Sequence, residues 1–218
     1  MERFFTLDKY NTWYDWGLIL TEKKISLAEP KTNYVNIDGM SGSLDLSESL
    51  TGEITYKDRT ILASFWTDNG SRKDREILLK NITFALHGKK IKIIEPDDPT
   101  HYFYGRVEIK SHANNLAYLE FTIEATCEPW RYALTDTVRY IDLTGDTKID
   151  VVIYNHGVKT VSPTISVKGT ATVIYNNAQA TLSNGTYKIS DIKLRRGANI
   201  ITLSGSGKVT FTYKEADL

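Results

Sequence analysis

Alternation of period two runs through most of this chain, and a single segment breaks it. His101–Lys110 and Leu116–Thr126 alternate apolar and polar residues almost strictly, the pattern of strands with one buried face. Asn33–Ile37, Ser43–Ser47, Glu53–Lys57 and Thr60–Trp66 read as further strands, punctuated by Asp38-Gly39 and by Thr51-Gly52. The stretch from Gly39 to Arg59 is patterned like a β-hairpin. The exception is SRKDREILLKNITFALHGKK, where Leu78, Ile82, Ala85 and Leu86 share one helical face. This spacing predicts a helix near 74–87. Gly88 stands where a helix stops in a left-handed residue, and Lys89 and Lys90 suit the negative end of its dipole.

Beyond residue 135 no helical period occurs. Ile149–Tyr154, Thr164–Lys168, Thr170–Tyr175, Ala178–Leu182, Thr186–Ile189, Asn199–Leu203 and Val209–Tyr213 read as short strands. Asn-His-Gly, Asn-Asn, Ser-Asn-Gly, Arg-Arg-Gly and Gly205-Ser-Gly207 separate them, the last read as a β-turn. Many short strands at close spacing predict an antiparallel sandwich. The fold class is therefore mainly β: an amino-terminal β domain with one helix, followed by a β-sandwich. All four tryptophans lie at or before Trp130, and the charge changes sign near the same place. Residues 1–135 carry 17 basic and 20 acidic side chains, the remainder 10 and 7. The expected domains are 1–130 and 131–218.

Composition narrows the function classes. Lys+Arg and Asp+Glu both number 27, so no overall field draws the chain to nucleic acid or anionic lipid. The single cysteine, Cys127, precludes an internal disulfide and a cysteine-rich zinc site. No secretion signal or membrane span is legible, and the expectation is folding in a reducing cytoplasm without membrane insertion. Cys127 ends an alternating strand, where a free cysteine is commonly a small buried hydrophobe. His87, His101, His112 and His156 show no HxxxH or HxH spacing. Asp97-Asp98 with His101 could bind metal or do acid–base work, but flanking prolines favour a solvated loop. No cofactor, metal or catalytic group is expected. Tyr154, Tyr175 and Tyr187 are candidates for docking a partner or stacking on sugars; packing in or beside the core is the competing reading.

Runs spread along the whole chain carry a family resemblance. Tyr14-Asp-Trp-Gly-Leu18, Ile37-Asp-Gly39, Gly42-Ser-Leu-Asp-Leu46, Leu50-Thr-Gly52 and Tyr56-Lys-Asp-Arg59 come first. Leu86-His-Gly-Lys89, Tyr104-Gly-Arg-Val107, Cys127-Glu-Pro-Trp130 and Arg196-Gly-Ala-Asn-Ile200 through Phe211-Thr-Tyr213 follow in order. In this order and spacing the chain resembles the distal tail protein (Dit) family of long-tailed, non-contractile phages and related prophages. The resemblance implies a hexameric ring of amino-terminal domains at the tail tip, each bearing a galectin-like carboxy-terminal sandwich. It implies a hub joining tail tube protein to tail-tip and receptor-binding proteins, assembled in the bacterial host's cytoplasm, with a lumen through which DNA passes unbound. On that reading the Gly39–Arg59 segment is a candidate ring contact, with Asp45, Tyr56 and Arg59 as its named residues. The alternative is a carbohydrate-binding module for host adhesion; the second domain, however, lacks the tryptophan of a galectin-type site.

Overall fold

The computed structural model describes residues 3–218, the side chain of residue 146 apart. They divide into two compact units, residues 3–131 with residue 218, and residues 132–217. Both are built from antiparallel sheets. One helix occurs among the described residues, and it is neither long nor apolar enough to cross a membrane.

The first unit contains β1 (Thr6–Leu7), β2 (Tyr10–Asn11), β3 (Ile19–Ile25), β4 (Tyr34–Asn36), β5 (Ser43–Asp45) and β6 (Arg59–Thr67). The helix α1 (Arg72–Leu86), β7 (Lys90–Glu95), β8 (Asp98–Asn114) and β9 (Leu119–Cys127) follow. Seven of its strands follow one another in its main sheet in the order β2-β1-β7-β8-β9-β6-β3. The centre is the β6–β9 pair, in register from Arg59↔Cys127 to Thr67↔Leu119. Every second residue of both strands is buried, Ile61, Ala63 and Phe65 facing the same core as Phe121, Ile123 and Ala125. Ile82 and Leu86 of α1 join this core and are fully buried. The sheet curls strongly. Lys23 on the edge strand β3 ion-pairs with Glu95 and, at 2.6 Å, with Asp97, although three strands separate β3 from β7 in the sheet. Arg3 also pairs with Asp97.

Two details of α1 follow from its sequence. Ser71 is the N-cap: its hydroxyl accepts from the Asp74 amide, and the Asp74 carboxylate accepts from the Ser71 amide at 2.9 Å. This reciprocal box starts the helix two residues earlier than hydrophobic spacing predicts. Arg75 is buried without a carboxylate partner. Its guanidinium donates to the carbonyls of Gly70 (2.7 Å), Asn115 (2.9 Å) and Leu116 (3.0 Å), with a longer bond to Asp68. One side chain thus ties the loop before α1 to the β8–β9 turn.

The second unit contains β11 (Thr137–Asn155), β12 (Thr164–Tyr175), β13 (Ala178–Leu182), β14 (Gly185–Lys188) and β15 (Gly197–Tyr213). Short strands β10 (Arg131–Ala133) and β16 (Ala216–Asp217) lie at its ends. The sheet order is β11-β15-β12-β13, with β14 also on β12. The seven short strands expected from sequence are in part halves of longer ones. Thr164–Lys168 and Thr170–Tyr175 are one strand, as are Asn199–Leu203 and Val209–Tyr213. Gly205-Ser-Gly207 is therefore a corner inside a strand and not a β-turn.

The corner is set by glycines in register. Gly145 faces Gly205, and Gly169 faces Gly207. All four adopt positive φ, between +109° and +128°. A Cβ on Gly207 would lie 1.9 Å from the Lys168 carbonyl oxygen, so the strands approach too closely for any side chain. The buried set keeps its parity across the bend: Ile165 and Val167 before it, Ala171 and Val173 after it. The sheet thereby folds over its own apolar face and encloses a single core. Asn199 sits in that core, its amide donating to Arg195, Gly197 and Ile153 carbonyls and its oxygen accepting from Tyr175 (2.8 Å). This accounts for the asparagine of the Arg196–Ile200 motif in structural terms.

Removing the Arg75 guanidinium leaves buried carbonyls without their charged donor. Arg75→Ala is expected to cost about 2–4 kcal/mol, read as a shifted urea midpoint. Asn81→Ala, exposed on α1, should stay within about 0.5 kcal/mol; similar values for the two would refute the clamp. Gly207→Ala is expected to cost at least about 2 kcal/mol, from strain and clash together. Gly39→Ala, at positive φ in open space, should cost only about 1–2 kcal/mol. Equal losses would show that the corner tolerates a side chain.

Candidate docking surfaces

Between β3 and β6 the chain leaves the sheet as an arm. Its stem is held by Ser26 N–Thr60 O (2.9 Å), Lys31 N–Thr55 O (2.8 Å) and Lys57 N–Glu29 O (2.8 Å). Above the stem, β4 and β5 pair over three residues: Tyr34↔Asp45, Val35↔Leu44 and Asn36↔Ser43. The hairpin expected within Gly39–Arg59 thus forms with different partners. Ser43–Asp45 pairs backward with Tyr34–Asn36, and Glu53–Lys57 is not a strand; its Tyr56 makes only an isolated bridge to Pro30.

The arm is hydrogen-bonded within itself but has no core. Asp45 accepts from the backbone and hydroxyl of Ser47, which holds its carboxyl below the usual range. The Leu46 amide donates to the Asn33 carbonyl, and the Gly52 amide to the Glu48 carbonyl. Tyr34, Val35, Ile37, Met40, Leu44 and Leu50 are all exposed, Leu50 by 98%. None belongs to a core cluster. A lone two-stranded hairpin is marginal in water, and contiguous exposed apolar surface marks an interaction site.

The three residues expected at a ring contact do not lie together on this arm. Asp45 is on β5 and exposed. Tyr56 lies in the stem, packed edge-on against Trp130 with ring centroids 5.5 Å apart. Arg59 is a correction: it is only 4% exposed. As the first residue of β6 it shares the parity of Ile61 and Ala63, so its side chain turns into the core. Its guanidinium lies 5.3 Å from the Phe103 ring centroid. Burial, aided by nearby Arg131, depresses its pKa. It closes the end of the core and does not reach the protomer surface.

The second unit has its own exposed apolar surface. β11 is an edge strand, and Tyr140, Val152 and Tyr154 point outward from it. Ile200, opposite Val152 on β15, is 61% exposed. Of the three tyrosines expected there, Tyr154 presents its ring, stacked on His156 at 6.0 Å and 12°. Tyr175 is a correction: it is buried, donating to Lys193 O (2.9 Å) and to Asn199. The parity of Val173 carries it into the core. Tyr187 is half-buried against the same core, its hydroxyl 3.2 Å from Ser183 O. Tyr140 and Val152 carry a sequence signal in the even-numbered alternation of β11, whereas Ile200 carries none of that strand's.

The candidate chemical groups are occupied otherwise. Burial pushes the Cys127 thiol up to about 12, so it is protonated near neutral pH. Asp97 is held by Arg3 and Lys23, and Asp98 by His101 (2.9 Å) and Arg131 (3.4 Å). These acids lie at the β7–β8 hairpin, with Glu95 opposite Asp98. Among the described residues no group of three or more His, Cys, Asp or Glu side chains could hold a metal ion. A polar groove of about 480 Å³ runs past Asp58, His87, Lys90, Arg106, Glu108 and Glu124. Lys90 pairs there with Glu128, and Lys110 with Glu108.

No family model matches the chain, and no curated protein matches it in sequence. Among solved structures, its fold is similar to that of the phage SPP1 Dit protein (gp 19.1), described as a paradigm of the hub adsorption apparatus in phages infecting Gram-positive bacteria. That likeness has a TM-score of 0.72 at 15% identity and covers 98% of this chain and 99% of the other.

Proposed function

We propose that this chain is a structural, non-enzymatic hub protein of a phage tail tip. Six copies close a ring through their amino-terminal units. The ring joins the tail tube protein to tail-tip and receptor-binding proteins and leaves a lumen for DNA. The carrying observation is the full-length likeness in fold to a phage hub protein. The coreless arm of residues 26–58 supports the assembly part, because its exposed apolar side chains require cover that one protomer does not supply. A heterologous contact made by such an arm closes a ring when its rotation fits. Contacts in an obligate ring of this kind bury about 2,000 Å² or more in total. The outward face of β11 then serves as a platform for peripheral proteins, with Tyr154 as its central aromatic. The second unit belongs to the virion tail tip in this reading, after assembly in the host cytoplasm.

Sedimentation velocity on the purified full-length chain, with negative-stain microscopy of the same sample, tests this. The expected particle is a six-fold ring with peripheral lobes. Replacing residues 34–45 by a short glycine linker should abolish it while leaving the protomer's circular dichroism nearly unchanged, since none of those residues belongs to a core cluster. A chain that remains a single protomer at high concentration and with tail tube protein added would exclude the ring. DNA should bind only weakly at physiological salt, because balanced charge releases few counterions; tight filter binding would contradict an inert lumen.

A further inference from the structure

The acidic arm has a counterpart in the same unit. From Asn33 to Glu53 the chain carries Asp38, Asp45, Glu48 and Glu53 and no basic residue. From Arg72 to Lys90 it carries six basic residues and two acidic ones. That second stretch is α1 and its exit, and its outward face is continuous. Lys73, Ile77, Lys80 and Phe84 recur at helical spacing and are all exposed, Ile77 by 50% and Phe84 by 84%. Lys89 extends the stripe, its ammonium 5.4 Å from the Phe84 ring centroid. Glu76 is the one acid on this side; Asp74 is engaged by its own cap. The helix buries Ile82 and Leu86 on its other side, so the stripe is not needed for the protomer's core.

We infer that the outward face of α1 receives the β4–β5 arm of a neighbouring copy of this chain. The inference rests on the proposed ring and names its contact. Both surfaces pair exposed apolar residues with charge, and the charges are opposite. Val35 and Leu44 lie opposite one another on one face of the hairpin, positioned to cover Ile77 and Phe84. Asp38 and Glu48 lie in the loops on either side of that strip in sequence, both exposed, and Lys73 and Lys80 alternate with Ile77 and Phe84 along the helix stripe. An aromatic with a cation above it at a patch centre is the composition of an interface anchor. The contact is heterologous, one patch meeting a different one, as ring closure requires.

Two readouts test it on the full-length chain. Lys73→Glu with Lys80→Glu should raise the protein concentration needed for half-assembly at least tenfold. Adding Asp38→Lys and Glu48→Lys to the same chain should restore most of the loss. All four positions are exposed, so circular dichroism, and the thermal midpoint of protein diluted below its assembly concentration, should not change. Independently, Leu44→Cys with Phe84→Cys should give disulfide-linked ladders under oxidation, reaching six chains. Cys127 does not interfere, being fully buried with its thiol raised to about 12. A wild-type ring whose assembly ignores the helix-face charges and yields no ladder overturns this contact and leaves the ring reading standing. Failure of the wild-type chain to assemble at all overturns both.

Discussion

A sheet with one apolar face must either be covered or curl until it covers itself; the second unit takes the second course, and the first combines it with cover from α1. In the first, the curl brings β3 within reach of the β7–β8 hairpin, where Lys23 bridges Glu95 and Asp97. The Lys23 pKa is raised: its partial burial works against the charge, but the hydrogen bonds to Asp97 and Glu95 outweigh it. The Asp97 carboxyl is lowered chiefly by the Lys23 bond, with Arg3 adding to it. The lowered carboxyl favours the folded state above its ordinary pKa near 4 and loses that contribution as pH falls further. In the second unit, glycines in register fold three long strands over together. Self-coverage consumes the apolar faces and leaves edges, loops and the outer side of α1 as the surfaces from which an assembly can be built.

Much of this is readable from alternation, and the error in strand pairing has a plain cause. Period two says which residues share a face but not which strand pairs with which. It located β6, β8 and β9, and the helical period located α1. It also suggested pairing within Gly39–Arg59, where Glu53–Lys57 alternates but finds no ladder. Lys90 was read as completing the helix end; it belongs to β7 and pairs with Arg106. Gly205-Ser-Gly207 has the composition of a turn because a corner needs the same backbone freedom. The start of α1 was missed because its box uses Asp74, a shorter side chain than the usual glutamate.

The site residues divide along the same line. Arg59, expected at a ring contact, and Tyr175, expected at a docking surface, each stand at odd parity with neighbouring core residues, Ile61 and Val173. Parity outweighs polarity there: Tyr175 finds two acceptors inside, while Arg59 meets the Phe103 ring face and bears the cost of burial, its Nε without a hydrogen bond. Tyr154 stands at even parity on β11 and stays exposed. Asp45 is exposed for another reason, since it belongs to an element with no inner face at all.

A formal charge of zero hides a segregated distribution, and the segregation favours one mode of association over another. Two acidic arms brought together would repel, as would two basic helix faces. Both are the self-complementary encounters that make two-fold dimers. Only arm against helix is attractive in charge and apolar on both sides. Like-charge contacts of this kind act against wrong partners as well as steering right ones. In the inferred ring each contact leaves the protomer's own arm and helix free in alternate directions. Head-to-tail addition would then close, first helix against last arm, where the rotation fits, as the proposed hub requires.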